Sequence, residues 1–437
     1  MSIRTTPVAR RTVLGGAVLA ASAGLLSACA FNSGGSTPQA SSGKKVTLTF
    51  QSLAFQATTI AAVKKIVTSW NASHPDIQID LRQGSWDNVH DQLVTQFQGG
   101  TAPDIIHDEA ADITGFAEQG YLADLKPYLS SSVQQAVPAG IWKAVTVNGK
   151  IVAAPTLLQT YVVFANKKAF ADAGVSMPTG DSMTWDRFRS IAKQLTKNGK
   201  YGVGWGLSQP AATVLSTSLN YGGTWFTGTG KDAQIQIGAN ELKVPETIQA
   251  MARTDRSIAP TSITQSGSDA LPGFFGGKYA MYVGGNYVAQ QITQSGPKGF
   301  EWDVLPPLAG SAGTAQAADP QTMSVSATSK AQQQAAQFID YFMSATNQAA
   351  LAQGDWLIPA SEPAQQEVLK ETGGKDGWEQ TIASGKGLTA APFQTATNYP
   401  QWKDQYATPL LQKYFAGSIT TDQLKSQLTA GWQSVNK

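Results

Sequence analysis

The 437-residue chain holds a single cysteine, Cys29, and only three histidines, His74, His90 and His107. One cysteine excludes an internal disulfide framework and any zinc site built from cysteines alone. A Ser-His-Asp triad would have to use one of the three histidines, and none stands in a recognisable catalytic setting. Charge is scarce as well: 14% of residues, with 32 basic side chains against 30 acidic ones. That near-balance, without a basic run, argues against nucleic acid as a partner. No Gly-Lys pair is followed by Ser or Thr, so a Walker-type phosphate loop is absent. Neither a Gly-x-Ser-x-Gly elbow nor a His-Glu-x-x-His zinc helix occurs. What remains is a chain that is 42% hydrophobic. It is long enough for two or three domains and for a core that needs no covalent staples.

The first 28 residues have the character of an export signal. Arg4, Arg10 and Arg11 precede an apolar, small-residue run from Thr12 to Leu26. That run is shorter than the about 20 residues needed to span a bilayer. It ends in Leu26-Ser27-Ala28-Cys29, which resembles the lipobox of bacterial lipoproteins. The resemblance implies cleavage before Cys29 and lipid attachment to its sulfur. Arg10-Arg11 with Thr-Val-Leu also resembles a twin-arginine signal, although Val13 stands where Phe is usual. Without the leader, 29 basic residues face 30 acidic ones, a formal charge of −1. Residues 29–45 are rich in Gly and Ser and are expected to act as a flexible tether. The expected product is a folded body lipid-anchored to the outer face of the cytoplasmic membrane.

The body starts with alternating residues, Val46 to Phe50, which predict a strand. Ile60, Val63, Ile66, Val67 and Trp70 then recur at helical spacing. Ile77 to Leu81 alternate again, Trp86, Val89, Leu93 and Phe97 form a second helical face, and Pro103-Asp-Ile-Ile106 opens a third strand. A β-α-β-α-β order predicts a parallel sheet with right-handed crossovers. Later segments predict strands at Ile151–Ala154, Tyr161–Ala165 and Tyr279–Val283, and a helix over Thr184–Leu195. Thr420 and Gln423 form a capping-box pattern for the last helix.

Ligands of open parallel sheets sit beyond the carboxyl ends of the strands. That rule selects Gln51, Ser52 and Phe55, then Gly84, Ser85 and Trp86, then Asp108 and Glu109. Carboxylates and amides can accept hydrogen bonds from ligand hydroxyls. Asp108 and Glu109 serve equally as solvated helix caps. All 11 tryptophans lie beyond the leader. Trp86, Trp225, Trp356 and Trp402 stand beside Gly, Pro, Asp or Asn and are loop candidates, able to cover the apolar face of a sugar.

An ordered set of blocks carries a family resemblance: Lys64–Leu81 with His74-Pro75-Asp76-Ile77, Gly99–Ile106, Phe116–Leu125, Asn148–Pro155, Phe164–Lys167, Phe275–Met281, Asp303–Pro306 and Leu357–Ala360. Together they resemble the family 1 extracellular solute-binding proteins of ABC importers, the group that contains maltose-binding protein. The resemblance implies an α/β fold of two lobes, each a largely parallel sheet flanked by helices, hinged at a ligand cleft. It places chain crossovers near Leu158, Leu305 and Trp356. One lobe then comprises 46–158 with 306–355, and the other 159–305 with 356–437. It further implies a carbohydrate ligand, an ABC permease partner, a monomer, and neither cofactor nor metal. Residue by residue, it points to Gln51, Asp108 and Glu109, to Gln159 at the first crossover, and to Asn286-Tyr287, where Tyr replaces the usual stacking Trp. It also points to Trp402 and Trp225. A surface glycoside hydrolase using Asp108 or Glu109, or a receptor for a non-sugar solute, remains an alternative.

Overall fold

The computed structural model describes residues 45–437, so the leader, Cys29 and nearly all of the tether lie outside the described residues. Ten strands form two main sheets. They are β1 (Val46–Ser52), β2 (Ile77–Gln83), β3 (Ile105–Glu109), β4 (Ala153–Leu158), β5 (Tyr161–Asn166), β6 (Tyr201–Trp205), β7 (Tyr279–Gly285), β8 (Trp302–Val304), β9 (Gln321–Val325) and β10 (Ile358–Pro359). The helices that bear on the site and the cores are α1 (Ala57–Ser73), α2 (Val89–Gln98), α3 (Ala110–Glu118), α4 (Trp185–Leu195), α5 (Val288–Ser295), α6 (Gln332–Phe342), α7 (Ala345–Asp355) and α8 (Thr421–Val435). Among the described residues no helix is long and apolar enough to cross a membrane.

The first lobe is built on a six-stranded sheet in the order β10-β4-β9-β3-β1-β2. β1 runs parallel to both β2 and β3, as the β-α-β-α-β pattern requires. β9 is antiparallel to β3 and β4, and β10 is antiparallel to β4. The second lobe carries the order β8-β5-β7-β6, with β5 antiparallel to both neighbours. These exceptions share one cause. β5, β9 and β10 are the strands that enter a sheet from the hinge, so they run away from it, whereas β1, β3, β4, β6 and β7 run towards it.

The expected helical faces do form. α1 buries Val63, Ile66, Val67 and Trp70, α2 buries Val89, Leu93 and Phe97, and α4 buries Phe188, Ile191 and Leu195. The Thr420–Gln423 capping box closes the start of α8. On one face of the first sheet Phe50 meets Phe338 and Phe342 of α6 edge-on at 5.7 and 5.9 Å. Each such buried ring contributes about 1.5–3 kcal/mol. The apolar cluster on this face continues through Trp356 and Leu357 to Phe164, Phe274 and Tyr282 against the second sheet. A separate cluster of Leu53, Leu93, Ile106 and Phe116 fills the other face of the first lobe. A third, around Trp185, Trp205, Trp225, Trp402 and Trp432, fills the second lobe.

Two crossovers fall later than the blocks placed them. At the first crossover Gln159 and Thr160 alone join β4 to β5. Leu305 still bonds to β5, its N–H reaching the Val163 carbonyl at 2.8 Å, and the chain re-enters the first sheet only at Gln321. The pass expected near Trp356 also comes later. Ile358 and Pro359 still pair with β4, and the chain reaches the second lobe's own core from Ala391. In both cases a short strand extends the lobe past the boundary block, which a block pattern without strand pairing does not reveal.

Candidate functional site

The strands of both lobes end on one another across the hinge, and the concavity lies there. A cavity of about 400 Å³ is lined by Phe55, Trp86, Tyr287, Glu109, Gln159, Asp319, Gln321 and Asp355. A narrower extension of about 140 Å³ shares Glu109, Gln159 and Asp319 and adds Tyr161, Phe393, Gln394, Tyr399 and Lys403. Aromatic faces thus alternate with amides, acids and one cation. Another groove, of about 510 Å³, opens at the opposite end of the second sheet beside Lys167, Lys168 and Phe300. Two of its cations are already paired, Lys167 with Asp303 at 3.1 Å and Lys168 with Asp172 at 2.8 Å. Among the described residues no group of three His, Cys, Asp or Glu side chains is placed to hold a metal.

Strand geometry explains which side chains reach the cleft. Successive residues of a strand face opposite sides. In β3 this puts His107 and Glu109 on one side and Asp108 on the other. Glu109 lies beside Gln321, its register partner in β9. Asp319, two residues before Gln321, accepts the backbone N–H of Ala111 at 3.0 Å, in the first turn of α3. Positive backbone dipoles there favour a carboxylate. Gly84 matters for Trp86: a Cβ at that position would stand 2.8 Å from Leu53 Cδ2. A side chain there would force Leu53 to shift for this loop to stay closed against the end of β1.

The electrostatics are dominated by two acids and one lysine. The Asp319 carboxylate, then burial, push Glu109 up to about 8, while Lys403 opposes. The Glu109 side chain nevertheless still reaches the water of the cleft. Burial pushes Asp319 up to about 6, against the Ala111 N–H and Lys403. Asp355, bonded to the Thr59 hydroxyl, is likewise pushed by burial to about 6. His107 moves the other way, down to about 4, because burial penalises its cation. The cleft therefore offers a carboxylate acceptor (Asp319), a carboxyl that keeps its proton at neutral pH and can donate as well as accept (Glu109), amides (Gln159, Gln321, Gln394) and ring faces. This is a set suited to a polyhydroxylated, largely neutral molecule.

The expected site residues separate into two groups. Trp86, Glu109, Gln159 and Tyr287 come together in the cavity. The others do not line it. Gln51 is buried under Gly84, and its amide nitrogen has no partner among the described residues. Asp108 is fully buried on the opposite face of β3. Its Oδ1 accepts the Glu109 N–H at 2.9 Å, and burial, with Asp112 nearby, holds its pKa well above the usual carboxylate range. Trp225 and Trp402 are fully buried in the second core, where the Trp402 indole N–H donates to the Leu428 carbonyl at 3.0 Å. Asn286 and Trp356 belong to the hinge. The Asn286 Oδ1 accepts the Thr160 N–H at 3.1 Å, and its Nδ2 donates to the Trp356 carbonyl at 2.9 Å. Trp356 stacks on Trp378 at 4.5 Å with φ of 55°. Such a conformation is rare for a bulky residue and persists only where packing enforces it.

The family described as bacterial extracellular solute-binding protein matches residues 51–349. The chain belongs to this family. An uncharacterized lipoprotein in the oleD 5′ region of Streptomyces antibioticus is 41% identical over 389 residues, covering 88% of this chain and 86% of that one. The maltodextrin-binding protein MdxE of Bacillus subtilis is 25% identical over 286 residues, 64% of this chain and 65% of that one. Among solved structures, the cyclic alpha-maltosyl-1,6-maltose binding protein from Arthrobacter globiformis has the same fold. Its TM-score is 0.78 at 18% identity, and the match covers 90% of this chain and 99% of that one.

For a solute-binding protein of this family, the sequence blocks passed over several cleft residues. Asp319 and Gln321 flank a proline in the second crossover, a segment that the blocks assigned to the interior of a lobe. Lys403 follows Trp402 directly, on a π-helical turn spanning Lys403–Ala407. The residue expected in the cleft and its neighbour have exchanged places. Phe55 was legible as a residue following β1, and it is one of two large apolar side chains left exposed among the described residues.

Proposed function

We propose that this solute-binding protein is the lipid-tethered receptor of an ABC importer and that its cleft captures a carbohydrate. One observation carries the reading. At the two-residue crossover Gln159-Thr160, ring faces from both lobes (Phe55 and Trp86, Tyr287 and Tyr399) enclose the hydrogen-bonding acids Glu109 and Asp319. Rings cover the C–H faces of a sugar while carboxylates and amides take its hydroxyls. The maltodextrin and cyclic maltosyl-maltose names of the similar proteins support glucose oligomers as the first ligands to try. Closing the lobes on such a ligand stabilises the closed form only through contacts made there. The loaded form would then hand the sugar intact to a membrane permease.

The test is isothermal titration with maltose, maltotriose, a cyclic glucosaccharide, lactose and diacetylchitobiose. A saturable one-to-one heat is expected with at least one, and chromatography should recover the sugar unchanged. Release of cleaved sugar would overturn the receptor reading. Silence across the panel would overturn the carbohydrate reading. For the anchor, we propose that Cys29 carries lipid after twin-arginine export. Cys29→Ala should move the protein from the membrane fraction to the medium, and Arg10→Lys with Arg11→Lys should hold the precursor inside the cell.

A further inference from the structure

The Leu53 backbone N–H donates to His107 Nδ1 at 3.0 Å in a buried contact. A peptide N–H can only donate, so Nδ1 carries no proton and the neutral ring holds its proton on Nε2. Nε2 stands 3.1 Å from Gln321 Oε1. With a ring N–H on one side, the amide must present its oxygen; the flipped amide would set donor against donor. The Gln321 N–H₂ edge is therefore turned from His107 toward the cavity that Gln321 lines. The same imidazole meets the Trp86 ring edge-to-face at 5.5 Å. One buried ring thus receives its orientation from the end of β1 and passes it to two side chains of the cleft.

We propose that His107 is a positioning residue of the cleft, which fixes the Gln321 amide so that this subsite offers donors only and selects a ligand oxygen that accepts. This rests on the carbohydrate reading for the ligand's class, where the matching group is a ring or glycosidic oxygen. The Asp319 carboxylate, in the same cavity, takes hydroxyl donors. Burial keeps the ring neutral at ordinary pH, so the relay holds its direction.

The test begins with the full chain in detergent micelles, labelled with ¹⁵N-histidine. Three histidines make the ring spectrum simple to assign by substituting His74 and His90. At pH 7 the His107 pair should read as bare Nδ1 and protonated Nε2, and the opposite tautomer or a doubly protonated ring overturns the proposal. A binding cycle follows, with maltotriose as the probe. His107→Phe keeps aromatic bulk but removes both ring nitrogens, and should weaken binding by about tenfold. Gln321→Ala should weaken it similarly. The double variant should be no weaker than Gln321→Ala alone, because the Phe ring keeps the edge contact with Trp86 and the ring nitrogens act only through Gln321. Additive losses would show a merely structural role and sink the proposal. If no saccharide binds the unaltered protein, the carbohydrate reading fails together with the ligand half of this inference. The tautomer measurement then decides by itself whether His107 sets the Gln321 amide.

Discussion

Replacing Asp319 with Asn should make the ligand-free protein more stable and a poorer receptor. The Asp319 carboxylate is the largest cause of the rise of Glu109 to about 8 from its ordinary 4.5. A tenfold change in proton affinity corresponds to about 1.4 kcal/mol, so full conversion of that rise would give about 5 kcal/mol. The Glu109 side chain reaches cleft water, and solvent screening reduces the expected gain to about 1–2 kcal/mol. Asn keeps an oxygen for the Ala111 N–H, so the helix contact survives. The sign with pH follows from linkage. Between about pH 4.5 and 8 the folded parent retains a proton on Glu109 that the unfolded chain has released. The parent therefore loses stability as pH rises through that window. Near pH 4 and below, both states are protonated and the variant should gain little; at pH 8.5 it should gain most. Denaturant titration followed by tryptophan fluorescence at pH 4, 6, 7 and 8.5 measures this. A variant less stable at pH 8.5, or a difference that does not change with pH, would refute the reasoning. Sugar affinity should fall at least tenfold, because a charged acceptor is lost.

Trp86→Ala should cost about 1–2 kcal/mol, since the residue is only half-buried, yet abolish the ligand-induced fluorescence change. Trp402→Ala should do the reverse, costing about 3–5 kcal/mol by thermal unfolding while the folded fraction still binds. Asn286→Ala strands the Thr160 N–H and the Trp356 carbonyl. About 2–4 kcal/mol should be lost, and small-angle scattering of the ligand-free protein should show a larger radius of gyration. Gly84→Ala drives a methyl group into Leu53 and should displace the Trp86 loop. A cost of about 1–3 kcal/mol and weaker titration with maltotriose are expected.

The helical stripes and the first three strands were legible because their periods are local. Val63, Ile66 and Trp70 carry their own face wherever the chain goes. The orientation of single side chains near the cleft was legible only in part. Strand alternation alone separates Glu109 from Asp108, a signal present in the sequence but outweighed there by the attraction of adjacent acids. Trp402 and Lys403 differ by one helical position, and which of them meets the core depends on Phe226 and Trp432, 5.2 and 6.5 Å from the Trp402 ring and distant in sequence. Asp319 belongs to a crossover whose position is fixed by pairing of β9 with β3 and β4. No short-range pattern encodes that pairing.

The strand β9 has a consequence for how the protein is made. It sits between β3 and β4 and comes from Gln321–Val325. Until about three quarters of the chain has left the ribosome, β3 and β4 have no neighbour on their facing sides. Bare strand edges are templates for pairing with other molecules. The nascent chain is thus sticky for most of its synthesis, and the first-encoded lobe is completed by residues translated long after α1, α2 and α3. A copy truncated before residue 321 should aggregate rather than yield half a receptor.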